Sequence, residues 1–575
     1  MKSTTLFSAL QRAANLDKPT AGYRFLDRKE GETWRSFPSV ADRAARIARG
    51  LWQTGLRPGD TVAIVLPTSP DFTDVFFACG HIGAIPVPLY PPVRLGRLDE
   101  YYERTARMLQ VSRASILVTD ARAGKLMGNV LPLCAPPLGL HRVDDLVEAL
   151  PMDAHPPEST DIAMVQFSSG TTGSPKPVAL THRHVLSNAE AILNNFPRNG
   201  DEEPSGVSWL PLYHDMGLIG CVFPAVLYPG PLTLIPPEAF LARPAIWLRT
   251  LSRYRGMISP APNFAYALCV ERIRDEELEG CDLSGWSYAL NGAESIAPQT
   301  MRAFNERFSR WGLRSEALTP VYGLSEAALA VTFSDWHAPF RTLEIERDAL
   351  IDGHIKPVDG GMEITSVGTA LPGFDIEIRN TEGQSVPENR VGTLWTRGPS
   401  VMERYLDDTP PPTKEGWLNT GDLGFIREDE LYITGRAKDV IVMRGRNHAP
   451  QNLESAVDGV EGVRTGCAAA VGDLDAGAER VIVFVEARGS IRDSFAEECR
   501  QSILGATGID PDLVIPLSPG TLPRTSSGKI RRAETLLRWK TGALIPPESV
   551  NTVRVAGAVA KSLWTEWQHR MKSRA

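Results

Sequence analysis

Apolar residues fall in two rhythms along this chain. Short runs that are apolar almost throughout, at residues 61–66, 115–119, 162–167 and 178–180, predict strands buried on both faces. Longer stretches repeat their apolar residues every three or four positions and predict helices. One spans residues 71–80, directly after the first of those strands. Another opens at Thr181, a residue type suited to an N-cap, and places Val185, Ala189, Ile192, Leu193 and Phe196 on one face. This alternation runs through the first 430 residues. It predicts an α/β fold with mainly parallel sheets in a large N-terminal domain of several subdomains, residues 1–435.

The rhythm changes near Gly435. Strand-like runs at 430–433 and 440–443 flank the charged turn 436–439. A helical pattern follows at 452–460, then a strand at 481–486 and a helix at 494–504. That is the size and make-up of a small α+β domain, 436–545. The tail, 546–575, carries one helical pattern with Val559, Leu563, Trp564 and Trp567 and ends in basic residues. At the other end, Leu6, Leu10 and Ala14 predict a short amphipathic helix, with no apolar core of signal-peptide length before Lys18. Residues 216–237 are uncharged and long enough to cross a bilayer. Pro224, Pro229, Pro231 and Pro236 would break a spanning helix, so this segment is expected to be buried core or a pocket wall, with no transmembrane segment.

Composition adds exclusions. Of 575 residues, 42% are hydrophobic and 23% charged, an ordinary balance for a globular enzyme. A net charge of −8 argues against non-specific nucleic-acid binding. The seven cysteines are scattered without a Cys-x-x-Cys pair, which points to a reducing cytoplasmic setting with neither zinc nor a disulfide framework.

The most pointed chemistry lies at residues 168–176: Ser168, Ser169, Gly170, Thr171, Thr172, Gly173, then Lys176. Glycines let backbone N–H groups approach an anion, hydroxyls donate hydrogen bonds, and lysine adds charge, a set that suits a polyphosphate. The spacing is not that of a Walker loop, because neither glycine is followed five places on by Gly-Lys. That disfavours a kinase or GTPase cradle. Three further segments combine turn glycines with charge: 321–326 with Tyr322, Gly323, Ser325 and Glu326; 419–424 with Asp422, followed by Arg436; and 523–529, ending in Lys529. Singly, each has a bland reading as a surface acid, a turn cap or an exposed lysine.

Together and in this order, over residues 20–540, they resemble the adenylate-forming enzymes: acyl-CoA synthetases, peptide-synthetase adenylation domains and luciferases. Residues 86–92, 209–220 with 261–266, and 445–454 narrow the likeness to the fatty acyl-AMP ligases. The resemblance implies a large domain and a small mobile one that together join a fatty acid to ATP, giving acyl-AMP and pyrophosphate. It implies roles as well. The 168–176 loop would hold the β- and γ-phosphates, while Glu326, assisted by Thr171, would bind Mg2+. Tyr322, with Gly323 and Ser325 beside it, would stack on adenine, and Asn291, Gly292 and Ala293 would line the base. Asp422 would hold the ribose hydroxyls, with Arg436 nearby. Lys529 would bridge the carboxylate and the α-phosphate, His214 would gate the acyl pocket, and Asp439 would be the hinge. Residues 333–367 would be the extra segment that packs on the small domain and disfavours coenzyme A, leaving an acyl carrier protein as acceptor. Departures from the family pattern are Pro177, where glycine is usual, and residues 406–412. A coenzyme A ligase, and a non-catalytic nucleotide-binding protein on the same fold, stay open at this point.

Overall fold

The computed structural model describes residues 3–16, 18–92, 95–168, 175–196, 204–443, 446–475, 478–525, 528–547 and 552–572. Two parallel sheets dominate the N-terminal part. In the smaller, the strands Ile85–Leu89, Thr61–Val65, Ile116–Thr119 and Leu140–Arg142 lie side by side in that order, all parallel. Every residue of Thr61–Val65 is buried, which is why its sequence shows no polar alternation. The helix that follows, Pro70–Ile82, starts with proline in its first turn and stops at Gly83, whose φ of 79° few other residues adopt.

The larger sheet has nine strands. Its order is Thr369–Ala370, Ala330–Phe333, Leu318–Gly323, Tyr288–Asn291, Ile258–Ala261, Gly206–Ser208, Pro231–Leu234, Gly22–Leu26 and Glu32–Ser36. From Leu318–Gly323 to Gly22–Leu26 the neighbours are parallel, and antiparallel strands finish both edges. An aromatic cluster that includes Trp247, Trp286, Tyr266, Phe304 and Phe308 forms much of the core on one face. Four neighbouring parallel strands end at Ser208, Ala261, Asn291 and Gly323. The crevice beyond such carboxyl ends is where open α/β sheets bind ligands.

The strands Ile162–Phe167 and Pro177–Thr181, on either side of residues 168–176, pair antiparallel. Arg404–Tyr405 forms the third strand, beside Pro177–Thr181. The helix His182–Asn195 starts at Thr181 with a reciprocal cap between Thr181 and His184. Residues 215–234 break, as their prolines require, into the short helix Asp215–Gly217, a π-turn at Leu218–Val222, the helix Phe223–Leu227 and the strand Pro231–Leu234, mostly buried. Among the described residues, no helix is long and apolar enough to cross a membrane. Residues 375–436 form a five-stranded antiparallel sheet centred on Trp417–Arg427, most of which the apolar pattern did not announce.

After residue 440 the chain builds its own core. Strands Val463–Asp475 and Ala478–Ala487 pair antiparallel, with Leu513–Leu517 parallel to the second. Ile441, Val457, Val483, Cys499 and Ile503 pack between them and the helices Pro450–Ala456 and Phe495–Thr507. The tail helix, Thr552–Lys572, returns to the N-terminal part. Asn129 Nδ2 donates to the Ala558 carbonyl at 3.0 Å, and Arg142 pairs with Glu566 at 3.5 Å. Gly128 lies so close that a Cβ there would come within 2.2 Å of the Ser562 carbonyl oxygen.

Candidate active site

The turns beyond those four carboxyl ends carry the chemistry. Leu318–Gly323 delivers Tyr322, whose Oη donates to Asp422 Oδ2 at 2.6 Å. Arg436 Nε donates to Asp422 Oδ1 at 2.8 Å. Asp422 and Arg436 face each other directly across antiparallel strands, so the sheet register itself sets this pair. The Asp422 charge raises the Arg436 pKa. Burial, then Asp422, keeps the Tyr322 hydroxyl protonated well above its ordinary range. A rigid ring is thus fixed beside a buried carboxylate that already holds one cation.

The turn after Ser208 carries His214 and Asp215. His214 Nδ1 lies 2.6 Å from Asp215 Oδ1, and Ser325, from the turn after Gly323, donates its hydroxyl to Asp215 Oδ2. Beside Ser325 stands Glu326, whose carboxyl burial pushes up in pKa. Tyr405 Oη donates to Glu326 Oε1 at 3.3 Å, and the Lys176 ammonium sits 4.8 Å above the Tyr405 ring centroid. Tyr405 therefore links Lys176 to the acid. The ends of the segment 168–176 are joined by the Ser168 N–H donating to the Lys176 carbonyl at 2.9 Å. Ser169, Gly170, Thr171, Thr172 and Gly173 lie outside the described residues. Pro177 opens its strand, a position where a missing N–H is tolerated, and its carbonyl accepts the Leu406 N–H at 2.8 Å. The two departures from the family pattern are thus bonded to each other.

Asn291 departs from expectation. It is fully buried, and its Nδ2 is directed at Asn263 Oδ1 (3.3 Å) and Met301 Sδ (2.9 Å). The strand continues through this residue, and the helix Pro298–Phe308 covers the face its side chain points to, so it braces the turn rather than lining a base. Gly292 leaves no room for a side chain, since a Cβ would meet Val321 Cγ2 at 2.7 Å. Ala293 adopts a left-handed φ of 72°.

Lys529 arrives from the far end of the chain. Its loop is closed locally: the Thr525 N–H donates to the Lys529 carbonyl (2.8 Å), and the Lys529 N–H donates to Thr525 Oγ1 (3.0 Å). Arg524 donates to the Gly528 and Gly466 carbonyls at 2.8 and 3.1 Å. Burial, then the Arg436 charge, lowers the Lys529 pKa, while Asp215, Glu294 and Asp422 act to raise it. These charges come from the turns after Ser208 and Asn291 and from the paired strands that carry Asp422 and Arg436. Sequence reasoning missed Asp215, Glu294 and Tyr405. Glu294 accepts the Phe264 N–H at 2.6 Å, at the start of the helix Asn263–Arg272. The available signal was a carboxylate next to each singled-out segment: Asp215 after His214, and Glu294 after Ala293.

Among the described residues, no group of three or more His, Cys, Asp or Glu side chains could hold a metal ion by itself. A lone half-buried carboxylate such as Glu326 suits Mg2+ shared with phosphate oxygens, the usual arrangement for that ion.

Comparison with known proteins agrees with this geometry. Residues 11–406 match the family model described as AMP-binding enzyme. A 4-hydroxyphenylalkanoate adenylyltransferase of Mycobacterium marinum is 32% identical over 94% of this chain and 92% of its own length. The medium-chain-fatty-acid–[acyl-carrier-protein] ligase JamA of Moorena producens is 32% identical over 97% of this chain and 99% of its own. A solved structure from work on fatty acyl-adenylate ligases of E. coli and L. pneumophila superposes with a TM-score of 0.86 at 33% identity, covering 94% of this chain and 98% of that one. With a family model over most of its length and full-length relatives above 30% identity, the chain belongs to the AMP-binding enzymes, in their fatty acyl-AMP ligase branch.

Proposed function

We propose that this protein joins a fatty acid to ATP, releasing pyrophosphate and forming acyl-AMP, and then passes the acyl group to the phosphopantetheine thiol of an acyl carrier protein. The observation that carries this reading is the seating of Lys529 beside the Tyr322–Asp422–Arg436 cluster, at the carboxyl ends of four neighbouring strands. Both reactants are anions, so the chemical problem is to bring negative charges together at the α-phosphorus.

In this reading the Tyr322 ring packs on adenine. Asp422, with lone pairs left beyond its two present partners, accepts the ribose hydroxyls. The segment 168–176 holds the departing phosphates. Glu326 would hold Mg2+, which supplies positive charge against the phosphate oxygens. The Lys529 ammonium draws the carboxylate oxygen and the α-phosphate together, and no proton need move, because the acid enters ionised. His214 stands at the acyl side of the reacting centre.

The second step calls for movement. We assign residues 1–435 to a large domain and 436–545 to a small one, with Asp439 at the hinge. Asp439 is bonded to Arg532 Nη1 at 2.9 Å, three residues from Lys529, so hinge rotation would carry the lysine loop with it. The segment 333–367 touches the small domain: Asp348 pairs with Arg446 at 3.2 Å, and Asn452 Nδ2 contacts Met362 Sδ at 3.5 Å. Contacts there support a restricted approach for coenzyme A and favour a carrier protein. All seven cysteines are unpaired, in keeping with a cytoplasmic setting. The test is a mass-spectrometric screen for acyl-AMP over straight-chain and aryl-terminated acids of graded length, with and without coenzyme A and a carrier protein. Acyl-AMP with carrier loading is expected. Efficient acyl-CoA formation would replace the carrier reading, and no acyl-AMP from any acid would end the proposal.

A further inference from the structure

We propose that Asp215 is a positioning residue for the adenylating step: its carboxylate locks His214, ties together the turns after Ser208 and Gly323, and presents fixed negative charge to Lys529. The proposal rests on the acyl-AMP reading for its kinetic assay but not for its labelling assay.

The geometry is specific. Asp215 is only 5% exposed. Its Oδ1 lies 2.6 Å from His214 Nδ1 and accepts the Met216 N–H at 2.7 Å, and its Oδ2 accepts the Ser325 hydroxyl. The Met216 contact alone would serve a local turn. Ser325 is 110 residues away, in the turn after a strand three places across the sheet, and a local turn has no need of it. A carboxylate buried without partners would take up a proton. Here burial acts to raise the carboxyl pKa, yet His214, Ser325 and Lys529 outweigh it and bring Asp215 to about 2. The charge is therefore permanent over the working pH range.

One consequence for the reacting centre concerns Lys529, whose ammonium feels the charges of Arg436, Asp215, Glu294 and Asp422. Asp422 already holds Arg436 and the Tyr322 hydroxyl. The Glu294 carboxyl is raised in pKa by burial and already accepts the Phe264 N–H. Asp215 is held by donors from two turns and adds its negative charge to that set. It offsets the repulsion between Arg436 and Lys529, and so keeps the lysine charged and seated.

Asp215→Asn keeps the shape and removes the charge. Its kcat for acyl-AMP formation should fall by about ten- to a hundredfold with KM for ATP little changed, as expected when a reacting group is misplaced rather than a binding group lost. The alkaline limb of its pH–rate profile should move to lower pH, because Lys529 then loses its proton more easily. In a cycle with His214→Gln, the two losses should be less than additive. Independently of activity, mass-spectrometric profiling of lysine acylation at pH 8 should show Lys529 labelled faster in Asp215→Asn than in the parent protein, relative to the other lysines. An unmoved alkaline limb with unchanged Lys529 labelling would overturn the proposal, as would additive losses. If Asp215→Asn does not fold, His214→Gln alone decides: it should lower kcat with KM for ATP preserved, and a raised KM with kcat preserved would overturn the positioning role. Absence of acyl-AMP from the parent protein would instead reject the assigned reaction, leaving the labelling result to judge Asp215.

Discussion

Replacing Lys529 by alanine removes an ammonium that acts on Asp215 and Glu294 in the crevice. Arg436 is spent on Asp422 at 2.8 Å, and Lys176 lies over the Tyr405 ring on the phosphate side, so neither can move into the vacated place. An ammonium about 4 Å from a developing charge, at an effective dielectric constant of about 20, contributes about 4 kcal/mol. Removing a preorganised donor typically costs about 2.7–4 kcal/mol, a loss on the order of 10²–10³ in rate. Lys529→Ala should therefore form acyl-AMP at least a hundredfold more slowly, followed by hydroxylamine trapping or pyrophosphate release. ATP affinity by calorimetry should change little, because the Tyr322–Asp422–Arg436 cluster is untouched. The pH dependence carries a sign. Burial and Arg436 lower the Lys529 pKa, so the ammonium, and with it the rate, is lost as pH rises through a value below that of an ordinary lysine. In Lys529→Arg the guanidinium stays charged, and the alkaline decline should vanish from whatever activity survives. A Lys529→Ala enzyme within tenfold of the parent, or an alkaline decline preserved in Lys529→Arg, would refute the reasoning.

Asp422→Asn takes the charge out of the bonds with Tyr322 and Arg436; at about 1.5–3 kcal/mol for a hydrogen bond to a charged group, ATP should bind about ten- to a hundredfold more weakly by calorimetry. Arg532→Ala strands Asp439 and Glu454, which it holds at 2.9 Å and at 2.6 and 2.7 Å, and breaking such a mostly buried pair costs about 3–5 kcal/mol. A calorimetric melt should show that loss, and an unchanged melt would remove this pair from the account. Gly128→Leu drives a side chain into the Ser562 carbonyl, an overpacking cost of about 1–3 kcal/mol, and should speed tryptic cleavage of the tail helix; unchanged proteolysis would mean the helix does not dock there.

Local chemistry was legible in the sequence where one short segment decides it. The strand at 162–167 and the helix starting at Thr181 follow from an apolar run and a capping residue. Tyr322, Asp422, Arg436 and Lys529 stood out because turn glycines flank a charge or a ring. What depends on distant pairing was not legible. An apolar run does not reveal the direction of its partner, so the Ile162–Phe167 and Pro177–Thr181 pair could not be read as antiparallel. The sheet around Trp417–Arg427 has little apolar alternation because many of its residues are only half-buried. The resemblance alone places Asn291 at the base, yet its side-chain direction is set by a helix that begins seven residues later. Asp215 drew no attention because its importance lies in Ser325 and Lys529, which only the closed fold brings to it.

The most direct test of the central claim follows oxygen. With a fatty acid labelled by ¹⁸O in both carboxylate positions, attack of the carboxylate on the α-phosphorus leaves one labelled oxygen bridging acyl and phosphorus. Transfer of the acyl group to a carrier thiol then leaves that oxygen on AMP. AMP should carry a single ¹⁸O, and pyrophosphate should be unlabelled. Label in inorganic phosphate or pyrophosphate, with none in AMP, would contradict it.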